Sequence, residues 1–442
     1  MTIPLTSVED VPLNRFHKSL TLRSGGGGFA DGYVLCIIGV VLAQMSSALQ
    51  LDTFWEGLIA ASSLIGVFFG GFFGGWLSNH LGRRKVYFIG PALFFCASLA
   101  HLWADTAVAI FFLRLLIGIA VGIEYPVATS MLVEFMPSKY RGSRLAALTL
   151  LWFAGAASAY LAGEVILRCL GPEAWHLVLA SSAVVGLALF LVRLGTPESA
   201  RWLLSKGRDA EAEAVIRRVY GPDFGLRNLP EEPACSQLGF GDLLRSGYGK
   251  RMMFIVSFWT CSIIPVFAVY SFAPKVLSAL HLKGDLASLG SAAITLFFVI
   301  GCLIATRIIN LIDRRTMLIS SFLFSGLALL LLGVFNSSPG FVIMLLFAAY
   351  AIFIGGAQVL VLVYPNEIFP TQIRTFAVGI GTSVSRIGAA VGTYLVPLSL
   401  DTLGIAQTMY FAAAVSLVGL LMSWALAPET RSLNLQQAAS LG

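Results

Sequence analysis

Charged residues are scarce in this chain. Asp, Glu, Lys and Arg together make up 12% of its 442 residues, whereas soluble domains carry about 25%. So few charges cannot cover the surface of a soluble protein of this length. The composition therefore argues against a soluble enzyme, a nucleic-acid-binding protein and a disordered chain. The net charge of +6 has to be interpreted by position, because Lys and Arg concentrate on the cytoplasmic side of a membrane.

Cysteine is sparse as well, and several catalytic signatures are missing. The six cysteines are scattered and none forms a C-x-x-C pair, so neither a disulfide framework nor a metal site is predicted. The run Gly25–Gly28 lacks the Gly-Lys-Ser/Thr sequence of a phosphate-binding loop. We also find no Ser-His-Asp set. We therefore expect no enzyme activity, no metal and no cofactor.

Apolar residues, in contrast, are abundant. They make up 57% of the chain, and 44 residues are Gly, which is frequent where membrane helices pack through small residues. A membrane-spanning helix needs about 20 mostly apolar residues, and twelve such runs predict an all-α membrane protein. The predicted spans are 17–49, 55–78, 86–104, 107–133, 145–168, 175–195, 251–278, 287–311, 316–335, 340–363, 375–398 and 405–427.

One long polar stretch divides these spans six and six. We expect an N-terminal six-helix bundle in residues 1–195, a cytoplasmic linker in 196–250 and a C-terminal six-helix bundle in 251–442. Within the linker, Ser205–Tyr220 has the periodicity of an amphipathic helix, with an apolar face predicted to hold Ala210, Ala214, Val215 and Val219.

The distribution of Lys and Arg predicts the orientation. These residues recur in the loops that share a side with both termini, whereas the opposite loops are short and mostly acidic, with Lys275 and Lys283 as exceptions. Because cytoplasmic loops carry the excess of Lys and Arg, both termini are expected in the cytoplasm. The expected location is a multi-pass plasma membrane, namely the bacterial inner membrane.

Three motifs recur at corresponding positions of the two halves. A Gly-rich run leads into Arg83-Arg84 after the second span, and Asp313-Arg314-Arg315 follows the eighth. The other pairs are Glu134…Arg141 with Glu367…Arg374, and Pro197-Glu198-Ser199-Ala200-Arg201 with Pro428-Glu429-Thr430-Arg431. Such parallel repeats indicate a two-bundle transporter that alternates its access around a site near the membrane midplane.

Together with the run Arg114-x-x-x-Gly118-x-x-x-Gly122, these motifs resemble the major facilitator superfamily. The resemblance is to its sugar-porter, phosphate-porter and organic-ion-transporter branch of proton-coupled metabolite symporters, and it covers essentially the whole chain. It implies the major facilitator fold, with twelve transmembrane helices in two pseudo-symmetric six-helix bundles. The implied partners are a small-molecule substrate, a proton and the lipid bilayer, without nucleic acid, and the chain is expected to be monomeric.

The repeated charges of the inner loops predict a cytoplasmic latch, because acids recur together with bases. A single exposed ion pair stabilises by only about 0–1 kcal/mol, so such a latch depends on the number of pairs. We expect it to form when the inner side closes; the alternative is a topology signal alone. Its members are Arg83, Arg84, Glu134, Arg141, Glu198, Arg201, Asp313, Arg314, Glu367, Arg374, Glu429 and Arg431.

Ionisable residues inside predicted spans are functional candidates, since each costs about 2.5 kcal/mol or more to insert. Asp31 resembles the first-helix acid of proton symporters, and Arg114 is its expected partner. Glu124 resembles the acid that precedes Tyr-Pro in phosphate porters. Glu164 is a candidate second proton site or a partner of Arg168. The alternative for Asp31 is a static pair with Arg114 that only stabilises packing. The alternative for Glu124 is a structural acid that is hydrogen-bonded to neighbouring helices.

Arg386 in the eleventh span is the main indication of the substrate class. Organic-anion transporters of this branch carry Arg at the matching point, and a guanidinium binds carboxylate or phosphate with a forked geometry. The alternative is an Arg paired with an acid of another helix. Aromatic residues complete the predicted substrate site: Tyr33, Tyr125, Trp259 and Tyr270.

The seventh span contains Pro265 and Pro274, which predict a bent gating helix. The Gln-rich signature that sugar porters carry in this helix is absent. The function expected from all these features is proton-coupled symport of a small organic anion, a carboxylate-type metabolite. The alternatives are a proton-driven exporter of a drug or metabolite, and a sugar or organic-cation symporter.

Overall fold

The computed structural model describes residues 7–229, 248–280, 285–309, 311–369 and 371–431, and in these ranges it is helical without strands. Fifteen α-helices form in them. The helices are α1 (Arg15–Cys36), α2 (Ile38–Leu49), α3 (Thr53–Leu81), α4 (Arg83–Ala100), α5 (Ala107–Phe135), α6 (Ser138–Leu170), α7 (Trp175–Val192), α8 (Ala200–Ser205), α9 (Asp209–Tyr220), α10 (Gly249–Ala279), α11 (Asp285–Ile308), α12 (Arg314–Val334), α13 (Gly340–Ile368), α14 (Thr371–Thr402) and α15 (Ile405–Leu426).

The long helices match the predicted spans. Within the described ranges, eleven helical segments are long and apolar enough to cross a membrane, with α1 and α2 forming the first. The remaining predicted span, 375–398, lies within the 32 residues of α14. Large apolar side chains such as Phe72, Phe341 and Trp424 are exposed on the outside of the bundle, as expected where helices face lipid. This all-α architecture confirms the predicted fold class.

The first helix begins before its glycine run. The Asn14 side chain accepts a hydrogen bond from the His17 backbone N–H at 3.0 Å, which caps α1 at its N-terminus. Two glycines inside the helix lie against the backbone of α6: a Cβ on Gly28 would be 2.8 Å from the carbonyl oxygen of Leu148, and one on Gly32 would collide with that of Trp152. Glycine therefore allows α1 and α6 to approach backbone to backbone.

Close approach of helix backbones at glycine also occurs at equivalent positions of the two halves. In the first half, a Cβ on Gly122 of α5 would lie 2.5 Å from the carbonyl oxygen of Val67 in α3. In the second half, Gly355 of α13 would place a Cβ 2.5 Å from the backbone of Gly301 in α11. Small residues at matching positions thus give both halves the same close helix pairs.

The linker helices pack on the N-terminal half. Asn14 donates to the carbonyl of Val219 at 2.7 Å, and the Tyr220 hydroxyl donates to that of Phe135 at 2.9 Å. The predicted apolar face of this helix was partly wrong. Ala210 and Ala214 are exposed, because α9 turns another face inward: Ala212, Ile216 and Val219.

Helices of the two halves contact each other along α3 with α14 and along α6 with α11, while α2 meets α10. Residues 7 and 431, the first and last that the structure describes, lie on the same side of the helix bundle. This side is termed the inner end, and the opposite side the outer end. The bundle boundaries 1–195 and 251–442 remain a prediction.

Candidate substrate and proton site

Ionisable side chains from both halves converge where α1, α5 and α14 come together. Asp31 of α1 interacts electrostatically with Glu124 of α5, with Arg193 at the C-terminal end of α7 and with Arg386 of α14. Three of these residues belong to the first half of the chain, and Arg386 belongs to the second. Three of the four were predicted from the sequence, whereas Arg193 was not. Its position at a helix end resembles that of an ordinary topology-determining arginine.

Asp31 has an incompletely satisfied carboxylate. The side chain is 3% exposed, and no described group forms a hydrogen bond with its Oδ1 atom. A buried carboxylate oxygen without a donor is costly in the ionised state. The Asp31 carboxylate is therefore suited to accept a proton.

In Glu124, by contrast, both carboxylate oxygens have a hydrogen-bond donor. It is fully buried and forms a two-bonded ion pair with Arg193, in which Nη1 donates to Oε2 at 2.7 Å and Nη2 donates to Oε1. The Arg193 guanidinium also stacks on the Tyr87 ring, 3.6 Å from its centroid. The two donors compensate the buried charge of Glu124.

The expected pairing of Asp31 with Arg114 is corrected by the structure. Arg114 is 1% exposed, but its guanidinium donates to the carbonyls of Val34 at 2.7 Å and Leu35 at 3.2 Å. These carbonyls lie where α1 gives way to α2, so the regular backbone pattern is interrupted there. Arg114 thus supplies donors to a helix junction.

Glu164 lies apart from this cluster. It accepts a hydrogen bond from Arg168 at 2.7 Å, one turn along near the outer end of α6. This contact agrees with one of the two interpretations of Glu164. A role of Glu164 in proton coupling remains a prediction.

Arg386 has no ion-pair partner among the described acids. Its Nε atom is buried without a hydrogen-bond partner, and its guanidinium carbon lies 5.4 Å from the centroid of the Phe267 ring. It interacts electrostatically with Tyr125 and Asp31. A guanidinium with free donor capacity therefore faces the first half of the molecule.

The other predicted substrate residues have different surroundings. The Tyr33 hydroxyl is bonded to the Ser181 hydroxyl at 2.8 Å, within the first half. Trp259 is buried, and its Nε1 atom has no described partner. The Tyr270 hydroxyl is also without a described partner, and its ring packs edge-on against Trp152 at 5.8 Å.

The bend predicted in the seventh span is present in α10. The backbone leaves helical geometry at Phe272, with φ −129° and ψ 17°. Pro274 has no N–H, so the carbonyl of Tyr270, four residues earlier, has no helical donor. The hydroxyl of Tyr160 in α6 donates to this carbonyl instead. A Cβ on Gly39 of α2 would collide with both oxygens, so glycine makes room for this contact between the halves.

An ion pair connects the two halves at the outer end. Lys275 of α10 forms an ion pair with Glu56 of α3 at 2.7 Å and lies 3.7 Å from Asp401 of α14. The other Glu56 oxygen accepts from the Ser46 hydroxyl at 2.5 Å. These contacts give a structural reason for a lysine that departs from the positive-inside pattern.

The inner end carries the predicted charge networks, one in each half. In the first, Arg83 pairs with Glu134 at 2.7 Å, and the backbone N–H of Arg84 donates to Glu198 at 3.0 Å. Arg201 lies 3.5 Å from Glu9, a partner that was not predicted. The side chain of Arg141 lies outside the described residues.

The second network has the same form. Arg314 lies 3.5 Å from Glu367, Arg431 lies 3.3 Å from Asp313, and the backbone N–H groups of Arg314 and Arg315 donate to Glu429 at 3.1 and 3.0 Å. The side chain of Arg374 lies outside the described residues. No ion pair named at the inner end joins the first half to the second, so the response of these pairs to opening of the inner side remains a prediction.

Comparison with known proteins identifies the family. The family model described as "Sugar (and other) transporter" matches residues 22–441. The chain belongs to this family of the major facilitator superfamily. It is a multi-pass membrane transporter for sugars or other metabolites, not an enzyme.

Two bacterial relatives match along nearly their whole length. The putative metabolite transport protein YaaU of Escherichia coli (strain K12) is 38% identical over 439 residues, which are 99% of this chain and 98% of that protein. The inner membrane metabolite transport protein YgcS of the same strain is 37% identical, with 98% of this chain and 96% of that protein covered.

A solved structure shares the fold. The xylose transporter XylE from E. coli, in a partially occluded inward open conformation, superposes with a TM-score of 0.82 at 20% identity. The match covers 95% of this chain and 100% of that chain. At this identity the similarity shows the fold alone.

Proposed function

We propose that this transporter carries out proton-coupled symport of a small organic anion, a carboxylate-type metabolite, by alternating access. The observation that carries the proposal is Arg386, a guanidinium with a buried, unpartnered Nε atom and no ion pair to a described acid. A carboxylate that enters between the halves would meet two parallel N–H donors of Arg386, the geometry that guanidinium groups favour.

Proton coupling is assigned to Asp31. Its carboxylate lies in the first half and Arg386 in the second, and the two interact electrostatically. When the halves rock apart, the positive charge leaves Asp31, and proton uptake by Asp31 becomes more favourable. A carboxylate bound to Arg386 neutralises the guanidinium and so also favours proton uptake by Asp31. Departure of the anion restores the positive charge near Asp31, and proton release then becomes more favourable. Proton binding at Asp31 and anion binding at Arg386 are thus coupled by the electrostatic interaction between these two side chains.

A neutral sugar is the second candidate substrate. Besides the family description, it is supported by buried neutral groups without described partners, namely the indole N–H of Trp259 and the hydroxyls of Tyr270 and Tyr350. Such groups bind the hydroxyls of a polyol without requiring charge compensation.

The remaining expectations are part of the same proposal. The chain would work as a monomer in a bacterial inner membrane, with both termini in the cytoplasm. The two six-helix bundles in 1–195 and 251–442 would move about the site, and the linker 196–250 would join them.

A binding experiment separates the candidates. The purified protein is screened by thermal shift against carboxylates, phosphate, sugars and amines, because a ligand at 100 times its Kd stabilises by about 2.7 kcal/mol. We expect stabilisation by a carboxylate. That stabilisation should be lost in Arg386→Ala and partly kept in Arg386→Lys, which retains the charge but not the fork. Stabilisation by a sugar that persists in Arg386→Ala and is lost in Trp259→Phe would contradict the anion proposal.

A further inference from the structure

The ion pair between Glu124 and Arg193 is unusually well enclosed. The side chains of Arg193 and Glu124 are 0% and 1% exposed. Besides its two bonds to Glu124, the guanidinium donates to the carbonyl of Tyr87 at 2.6 Å while lying on the ring of the same residue. The Tyr87 hydroxyl is in turn bonded to the Ser24 hydroxyl of α1 at 3.0 Å. These contacts hold the pair in one orientation.

Two glycines create the space that the pair occupies. A Cβ on Gly27 of α1 would collide with Glu124 Oε1 and come within 2.6 Å of Arg193 Nη2. A Cβ on Gly90 of α4 would lie 2.9 Å from Glu124 Oε2. Gly27 of α1 and Gly90 of α4 therefore leave the space that the carboxylate and the guanidinium fill.

Asp31 lies one helical turn after Gly27, beside this pair. It interacts electrostatically with both partners, but its Oδ1 atom has no hydrogen-bond donor among the described residues. The titratable and charged groups that surround the two acids are Tyr87 of α4, Tyr125 of α5, Arg193 of α7 and Arg386 of α14. Of the two buried acids, Glu124 has its own fixed cation, whereas Asp31 interacts with a cation from the opposite half.

We propose that Arg193 is a positioning residue that keeps Glu124 ionised and immobile, which leaves Asp31 as the acid that exchanges the transported proton. This inference rests on the proposed proton symport. It changes the role expected for Glu124 from a proton carrier to a constant negative charge beside Asp31. Protonation of Glu124 would break a bidentate contact and leave a guanidinium buried without its counter-charge, which is strongly unfavourable.

The test compares Glu124→Gln with the double variant Glu124→Gln/Arg193→Gln in proteoliposomes. In the single variant Arg193 stays charged without its counter-ion, so Asp31 binds a proton less readily. We expect a lower melting temperature and a pH profile of uptake displaced toward lower pH. In the double variant the charges cancel again. We expect the melting temperature and the pH profile to return toward those of the wild type, and accumulation driven by a pH gradient to persist.

A matched control is the ion pair of Glu213 and Arg217, which are 2.6 Å apart on the exposed side of α9. The variant Glu213→Gln/Arg217→Gln removes the same chemistry outside the membrane and should leave the pH profile unchanged. A purely structural pair would lower the melting temperature in the single variant without displacing the pH profile, which would overturn the proposal.

The double variant also decides the proposal if Glu124→Gln does not fold. A double variant that exchanges substrate but no longer accumulates it along a pH gradient would identify Glu124 as a proton carrier and overturn the proposal. Failure of the proposed symport is a different result, since in that case the wild type itself would show no accumulation driven by a pH gradient.

Discussion

At the scale of single residues, this transporter places two carboxylates of the same chemistry in different surroundings. Glu124 receives two hydrogen bonds from Arg193, whereas Asp31 retains an oxygen without a described donor. An ionised group inside a membrane protein has to be compensated by partners. The compensated acid is suited to a constant charge, and the other acid to a charge that changes during transport.

The variant Asp31→Asn tests the changing charge. Asn keeps the size of the side chain but cannot release a proton, so accumulation driven by a pH gradient should be abolished while substrate exchange is partly retained. Both rates are measured in proteoliposomes with the same labelled substrate. Equal loss of accumulation and exchange would instead indicate that Asp31 stabilises packing.

Glu429 gives a pH-dependent prediction outside the membrane. Burial alone would raise the pKa of its carboxyl, but backbone N–H groups of Arg431, Arg315, Arg314 and Thr430 donate to it and hold the pKa below its ordinary value of 4.5. The stabilisation is therefore complete above pH 4.5 and is lost as the pH falls through the lowered pKa.

The matching measurement is the melting temperature of wild type and Glu429→Gln as a function of pH. We expect the variant to melt lower at pH 7 and the difference to shrink as the pH falls below about 4.5. A difference that stays constant down to pH 3 would show that these hydrogen bonds do not depend on the charge of Glu429.

At the scale of helices, α10 illustrates how a proline creates a contact point between the halves. Pro274 leaves the Tyr270 carbonyl without a helical donor, and the bend at Phe272 presents this carbonyl to the first half. The Tyr160 hydroxyl binds it there. The Tyr270 carbonyl, which would accept a backbone N–H in a regular helix, thus attaches the outer part of α10 to the N-terminal half.

The variant Tyr160→Phe removes that donor, and Pro274→Ala supplies an N–H inside the helix. A buried acceptor left without a donor costs about 1–3 kcal/mol. Tyr160→Phe should therefore lower the melting temperature clearly in the wild-type background and much less in the Pro274→Ala background. Equal effects of Tyr160→Phe in both backgrounds would show that Pro274 does not create the need for Tyr160.

At the scale of the whole molecule, the outer contacts join the two halves, whereas no described ion pair at the inner end does so. Lys275 bridges Glu56 and Asp401, and the Tyr160 contact lies deeper along the same interface. Alternating access requires such contacts between the halves to break when the outer side opens. The ion pair at the outer end is therefore a candidate gate.

Removal of this ion pair should loosen the outer side. A partly exposed pair contributes up to about 1 kcal/mol, so Glu56→Gln and Lys275→Gln should each speed amide hydrogen exchange at residues 275–279 about fivefold at most. The double variant should add little, because either substitution already removes the pair. Strictly additive effects, or unchanged exchange, would show that the pair does not hold the outer side closed.

The sequence alone determined the membrane class, the long helices, the repeated inner charges and the candidates Asp31, Glu124 and Arg386. These features follow from local composition and spacing, since apolar runs have to span a bilayer and buried charges are rare there. The bend of α10 was likewise predictable from neighbouring residues, through Pro274. The start of α1 was not, since the sequence allowed a start near Phe16 or near Phe29.

Only the tertiary structure decided which charges meet. It assigned Arg114 to backbone carbonyls, brought Arg193 to Glu124, and turned Ala212 rather than Ala210 of α9 inward. Partners such as Glu124 and Arg193 are 69 residues apart in the chain. Their contact depends on how helices pack around glycines, and that packing is a property of the assembled bundle rather than of any one segment.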